Sequence, residues 1–387
     1  MFAELMGARR FAALFWCQFL SAFNDNFVRT LLGMMLLFRV GHDAAEAQMA
    51  MAVALFIAPS VVMSGLGGQI ADASDKALIA RRLKFAEIFV QLIAAAGVYT
   101  GQMWMLFLAL FGLGVIAALF GPIKYGILPD HLKTEELPAG NALVEGATFL
   151  AILLGIAAGG FAVKHGVADA GAQPLWVVLQ LMVVAIACWI TARQIPSTAV
   201  ASPGLKPEAN ILASSWRLAR ALYADGRLWS LGVGLSLFWM TGAVALTLVA
   251  ALVKTRLGGD VDVEMAIHAL FAVGVALGSL AAAAIAHGRV FLTPAPFATL
   301  GLAAFLIDLG FATFRATPPA DALGLHAFFS SGTGLRVAID VAGVAFMGGL
   351  FAVPLFAAIQ AWSAPERRAQ VVASVNVINS LFIVGGS

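Results

Sequence analysis

Charge is what this chain of 387 residues has least of. Only 11% of its residues are Asp, Glu, Lys or Arg, against about 25% in soluble domains. So few charges cannot cover a water-facing surface, which excludes a soluble enzyme, and the 61% apolar content excludes a disordered chain. With 23 basic and 21 acidic residues, the net charge of +2 provides no field to hold a nucleic acid. Cysteine is nearly absent too. Cys17 and Cys188 sit in separate apolar runs and are expected as small buried hydrophobes, with no disulfide framework and no metal site. The pair Arg9–Arg10 precedes a long apolar run without a small-residue cleavage signal, so that run reads as an uncleaved first span. What the chain does have is long apolar stretches and 39 glycines, the composition of an all-α polytopic membrane protein in which small residues allow close helix packing.

A helix needs about 20 mostly apolar residues to cross a bilayer. Ten runs qualify, at 11–38, 47–70, 82–100, 102–121, 138–162, 174–192, 228–252, 263–286, 294–314 and 336–361. An eleventh starts near Val371, carries Asn376 and Asn379, and reaches Ser387. Turn residues separate the runs: Gly101 after the third, Pro122 and Pro129 after the fourth, Pro196, Pro203 and Pro207 after the sixth. The one long polar connection divides the chain into a six-span bundle (1–192), a linker (193–227) and a second bundle (228–387). With the N-terminus placed inside, 16 Lys and Arg fall in cytoplasmic segments and 6 in outer ones, which predicts a cytoplasmic N-terminus. Within the linker, Leu212, Trp216, Ala219 and Tyr223 interleave with Arg217 and Arg220 over Ile211–Ala224. This pattern suits a short amphipathic helix on the inner leaflet, or an ordinary soluble loop helix.

Six spans, a cytoplasmic linker and a second six-span half resemble the plan of the major facilitator superfamily. A motif strengthens the likeness. The loop after the second span reads Gly67-Gly68-Gln69-Ile70-Ala71-Asp72-Ala73-Ser74-Asp75-Lys76, followed by Arg81 and Arg82, and is similar to the signature loop of that superfamily. Glycine permits close helix approach, and an acid at a helix end can bond a neighbouring helix N-terminus or a basic partner. Gly68, Asp72, Asp75, Lys76 and Arg81 are therefore expected to gate. The equivalent stretch of the second half, Gly278-Ser279-Leu280, lacks the aspartate.

Three further stretches narrow the resemblance: Gln18–Asn26, Gly121–Pro129, and Asn141–Glu145 with Ala151–Gly155. They look like the bacterial lysophospholipid transporter family. Ser236–Trp239, Leu257–Asp260 and Phe351–Leu355 look closest to its branch fused to an acyltransferase and an acyl-carrier-protein ligase. The resemblance implies the major facilitator fold of 6+6 spans, here without its last one and a half. It also implies an inner-membrane carrier that takes lysophospholipid, of the lysophosphatidylethanolamine class, to the inner leaflet for reacylation. Membrane lipids and a fused or neighbouring acyltransferase and ligase would be its partners, and no cofactor is implied. The chain itself has no His-x4-Asp motif and no phosphate-binding glycine loop, so it is not expected to be an enzyme, and fused enzymes would lie beyond Ser387.

Ionisable groups inside a bilayer cost about 2.5 kcal/mol or more each at its centre and so point to function. Asp25 and Arg29 stand four apart on one helix face, where they can pair, with Asn24 and Asn26 beside the carboxylate. Lys124 and Tyr125 suit a lipid phosphate. Asn141 and Glu145 are expected to wall the cavity, or Glu145 to pair with Lys124. Asp25, Asn26, Arg29, Lys124, Tyr125, Asn141 and Glu145 are thus the expected substrate site. Glu87, Asp308 and Asp340 lack obvious partners and are weaker candidates, as proton carriers, with Glu87 expected near solvent. His268 is expected at the interface, and Gly155/Gly159 and Gly274/Gly278 as packing pairs. Two other functions fit the same residues: a proton-coupled exporter of amphipathic drugs, and a membrane docking domain for an acyltransferase.

Overall fold

A computed structural model describes residues 1–40, 42–167, 175–208, 210–314, 316, 319 and 322–386. Among these the architecture is helical, with one isolated bridge between Gly259 and Leu323. The helices are α1 (Phe2–Gly7), α2 (Arg9–Val40), α3 (His42–Ala73), α4 (Lys76–Thr100), α5 (Met103–Gly126), α6 (Leu128–His131), α7 (Leu137–Ala162) and α8 (Leu175–Gln194). After the linker come α9 (Ile211–Ala224), α10 (Gly226–Thr255), α11 (Val261–Ala286), α12 (Pro294–Phe314), α13 (Leu325–Ser330), α14 (Gly332–Trp362) and α15 (Arg368–Gly386). Among the described residues, ten helices are long and apolar enough to cross a bilayer. The 32-residue α2 falls outside that ten because Gln18, Asn24, Asp25, Asn26 and Arg29 dilute its apolar character, yet it packs in the bundle against α7 and α8.

The helices extend beyond the apolar runs because their ends are capped by the polar residues that flank them. Asp75 accepts from Ala77 N, Asp225 from Leu228 N, Asp260 from Val263 N and Ser331 from Gly334 N, each satisfying a free N–H of a first turn. At the other end of α4, Gly101 takes a left-handed conformation with φ 72°, which an L side chain resists. One expected break is absent. Pro122 lies inside α5, as Pro59 lies inside α3 and Pro354 inside α14. Membrane helices absorb proline because neighbouring helices and side chains re-satisfy the freed carbonyl.

Alternating helix direction puts α1, the α3–α4 loop, the α5–α7 connection, the linker and the α14–α15 loop on one side, called here the N-face. Helices α2 to α8 pack among themselves, as do α10 to α15; the two groups meet where α7 lies against α11 and α3 against α15, and α14 also reaches α7. Small residues set these distances. A Cβ on Gly155 would stand 2.5 Å from the Phe23 carbonyl, so α7 rests directly on the backbone of α2, and Gly159 does the same against Thr30. Gly274 and Gly278 seat α11 on α14 in the same way.

Replacing Gly155 by Leu is expected to wedge α2 from α7. Overpacking of this kind costs about 1–3 kcal/mol or more, and a drop in the detergent-solubilised melting temperature against wild type checks it.

Candidate functional site

The signature loop closes the N-face. Asp72, fully buried at the end of α3, accepts from Ala369 N, Gln370 N and the Gln370 side-chain amide, each at 3.1 Å. The two backbone donors are free N–H groups of the first turn of α15, where the helix dipole favours an anion, so the acid bonds a helix N-terminus of the other group. Gly68 makes the approach possible: a Cβ there would lie 2.6 Å from Ala373 Cβ and 2.8 Å from the Ala369 carbonyl. Beside it, Lys76 pairs with Asp130 at 2.9 Å, and Arg368 approaches the same carboxylate at 3.8 Å. Asp130 and Arg368 went unmarked in the sequence because their partners are 54 residues away or more.

Asp75 and Arg81 act one layer out, on the linker. Arg81 donates to the Ile195 carbonyl at 2.5 Å, and Asp75 accepts from Thr198 N at 3.0 Å and from the Thr198 hydroxyl. Partial burial opposes the charge on Asp75, but the N–H groups of Thr198 and Ala77 and the Thr198 hydroxyl outweigh it and hold this carboxyl below its usual range.

Deeper, a second set of contacts ties the groups together. Asn141 and Gln360, both fully buried, exchange amide hydrogen bonds of 2.6 and 3.0 Å, and Gln360 also donates to the Tyr125 carbonyl at 3.1 Å. The Tyr125 ring stacks on Phe356 with centroids 4.5 Å apart. Asn141 therefore does not wall a cavity with Glu145 but belongs to this lock. Gln360, a lone amide in an apolar run, was its sequence signal.

Beyond the lock runs a buried polar seam within α2, α4, α5 and α7. Two expected pairings are exchanged there. Arg29 donates to the Asn26 side chain and lies over the Phe56 ring at 5.3 Å, instead of pairing with Asp25. Asn26 is buried and itself donates to the Ala22 carbonyl. Lys124 donates to Thr148 at 3.1 Å, which in turn meets Gln18 at 3.0 Å, while the Glu145 carboxylate accepts from the Tyr125 hydroxyl. Arg29 takes the nearer neighbour on its own helix, whereas for Lys124 and Glu145 the packing of α5 on α7 chooses the partner. Glu87, expected near solvent, is buried and pairs with Lys84 at 2.6 Å; Lys84 is wholly buried, donates to Ser21 at 2.6 Å and faces the Phe120 ring at 4.2 Å. Asp25 is half-buried within electrostatic reach of Glu87, Lys84, Arg29 and Lys124.

The other expected acids lie apart from this seam. Asp308 is clamped by Arg336 from α14, its Oδ2 2.9 Å from the arginine Nε, and Asp340 is buried one turn along the same helix. His268 turns its ring to the Glu264 carbonyl at 2.8 Å. The sulfurs of Cys17 and Cys188 are buried 4.0 Å apart between α2 and α8.

Comparison with known proteins bears on what this arrangement does. Residues 14–387 match the family model described as Major Facilitator Superfamily. The chain is similar to the lysophospholipid transporter LplT of Enterobacter sp. (strain 638), with 30% identity over 364 residues, 93% of this chain and 81% of that one. Its counterpart in Serratia proteamaculans (strain 568) is 28% identical over 358 residues, 91% of this chain and 80% of that one. In three dimensions the chain resembles the crystal structure of the human organic anion transporter MFSD10, at a TM-score of 0.73 and 14% identity. That match covers 98% of this chain and 91% of the other.

Asp72→Ala is expected to free the first turn of α15 and open the N-face. Hydrogen bonds to a charged group are worth about 1.5–3 kcal/mol each, so cysteine accessibility at Ala373 should rise at least tenfold. The Asp75 carboxyl, held low in the folded protein, contributes stability that is present above its unfolded pKa and fades as pH falls through its folded one. The stability difference between wild type and Asp75→Ala should accordingly be flat from pH 8 to 5 and shrink only below about pH 4.

Proposed function

Because the chain belongs to the Major Facilitator Superfamily, within its lysophospholipid transporter family, we propose that it carries lysophospholipid across a bacterial inner membrane by alternating access. It is a multi-pass secondary transporter and not an enzyme. The observation that carries the substrate is the buried seam. It brings carboxylates (Asp25, Glu145) and cations (Lys124, Arg29) together in the membrane interior, the two signs that a phosphoethanolamine headgroup needs. Asp25 receives the ammonium, since Arg29 is engaged by Asn26 and leaves the carboxylate half-open. Lys124 receives the phosphate, held by the Thr148 hydroxyl beside the Tyr125 ring. The single acyl chain lies along the aromatic wall where Phe149 of α7 stacks on Trp239 of α10 and leans on Phe271 of α11.

The gate residues Gly68, Asp72, Asp75, Lys76 and Arg81, with the Asn141–Gln360 lock, hold the N-face shut while the opposite face loads substrate. Rocking of the helix groups then breaks the Asp72 bonds and exposes the seam to the N-face. Lys84 and Lys124 lie in the seam and leave the topology count, which still favours the N-face as cytoplasmic by 14 to 6. Transport then runs toward the inner leaflet, where an acyltransferase and an acyl-carrier-protein ligase, fused or separate, reacylate the product.

The test is uptake of labelled lysophosphatidylethanolamine by reconstituted protein. Asp25→Ala should lower uptake at least tenfold with membrane insertion unchanged, and Lys124→Gln should weaken substrate competition. Uptake that persists in Asp25→Ala overturns the assigned role. Transfer without a proton gradient supports lysolipid movement, whereas amphipathic drug efflux that collapses with an uncoupler supports an exporter.

A further inference from the structure

A groove on the N-face lies outside the transport path, where α9 crosses the first turns of α10 and α15. Its inner part is a cavity of about 150 Å³ lined by Leu218, Leu222, Leu228, Val371 and Gln370. It continues past Ala221, Asp225 and Arg367 into an open depression of about 540 Å³ bordered by Arg227. The inner wall is apolar and the mouth carries two exposed arginines. The carboxylate that shares the mouth, Asp225, caps α10 by accepting from Leu228 N at 3.3 Å.

The faces of α9 place this groove at headgroup level. Ser214, Ser215 and Leu222 are buried against the bundle; Leu212, Trp216 and Tyr223 form an exposed stripe, 66–73% accessible; Arg217 and Arg220 point elsewhere along the exposed side. A helix with an exposed aromatic and apolar stripe beside arginines lies in the membrane interface. Tyr223 packs edge-on to Trp229 at 5.1 Å, an aromatic pair suited to the same depth.

The groove also spans the boundary between the two helix groups. On one side α9 is pinned to α3, with Ser215 Oγ donating to the Val62 carbonyl at 3.1 Å over Gly65, where a Cβ would stand 2.6 Å from that hydroxyl. On the other side the walls belong to α10 and α15. Gln370, which lines the cavity, is also the side chain that donates to Asp72 in the N-face lock.

We propose that this groove binds an anionic phospholipid from the leaflet at the N-face, and that the bound lipid favours the state in which that face is closed. The phosphate lies between Arg227 and Arg367, and the first methylenes of an acyl chain fill the cavity against Leu218, Leu222, Leu228 and Val371. Charge at the mouth selects an anionic over a zwitterionic headgroup. Because α9 bridges α3 to α10 and α15, and Gln370 both lines the cavity and donates to Asp72, the lipid is held best when α3 and α15 are in contact. The site is separate from the substrate seam, and its readout does not depend on which substrate is carried.

The full chain, spin-labelled through cysteines placed at exposed Arg82 and Glu366, is reconstituted into phosphatidylcholine nanodiscs with and without phosphatidylglycerol. Distances across the N-face are then measured by electron–electron resonance. Phosphatidylglycerol should raise the ratio of closed to open molecules at least threefold. In the double variant Arg227→Gln/Arg367→Gln that response should vanish while the ratio in pure phosphatidylcholine stays as in wild type. Ala221→Trp, which plugs the cavity and keeps both arginines, should also lose the response. Three results would overturn the proposal: an undiminished response in either variant, an equal response to phosphatidylethanolamine, or an equal response to soluble glycerol phosphate.

Discussion

A polar group that enters a bilayer must find its partner inside the protein, since hydrocarbon offers none. In this chain that requirement organises both what closes the helix bundle and what it can carry. The Asp72 carboxylate is buried in the contact between α3 and α15 and is satisfied only by N–H groups of the other helix group. Asn141 and Gln360 likewise exchange amide hydrogen bonds across α7 and α14, although Asn141 also donates to the Leu137 carbonyl of its own helix. Separating the two groups on this face leaves each of these polar atoms to be taken up by water. Closure and opening therefore compete through a small number of strong, directional bonds, and glycine at position 68 lets them form.

Below this lock the polar seam follows a different logic. Lys84 and Glu87 neutralise each other in full burial, and Glu145 and Lys124 are each held by a neutral hydroxyl, from Tyr125 and Thr148. Charges held by hydroxyls and amides can be exchanged for a ligand's charges more readily than charges locked in an ion pair, because no opposite charge is stranded when the ligand takes over. On the proposed function, that distinction separates Lys124 and Glu145, open to exchange with a ligand's charges, from Lys84–Glu87, which braces α4 against α2. The clamp of Arg336 on Asp308 is a further bracing pair, between α12 and α14.

Much of the fold was legible in the sequence. Apolar runs of about 20 residues become spanning helices, and the Gly-Gly-Gln-Ile-Ala-Asp stretch marked a place where two helices approach closely and an acid meets a helix N-terminus. The helix ends moved outward by a few residues because Asp75, Asp225, Asp260 and Ser331 cap the helices from outside the apolar runs. The polar residues inside the apolar runs were legible one by one but not as pairs. Asp25 with Arg29 satisfies helical spacing, yet Asn26 sits one residue nearer on the same face and takes the guanidinium. Glu87 looked solvent-accessible from its position near a helix start, but α4 turns that face toward α2 and buries it with Lys84.

The sequence by itself determined the membrane class, the order of the spans and the position of the signature loop at the end of α3. Each of these depends on local composition or on residues within a few turns of one another. The tertiary structure alone decided which acid meets which base across helices, which amide crosses between the helix groups, and that the linker helix roofs a groove beside the Asp72 contacts. Those choices depend on how far each helix is rotated and how deep each side chain sits. Rotation and depth are set by close packing at Gly65, Gly68, Gly155 and Gly278 against helices tens to hundreds of residues away.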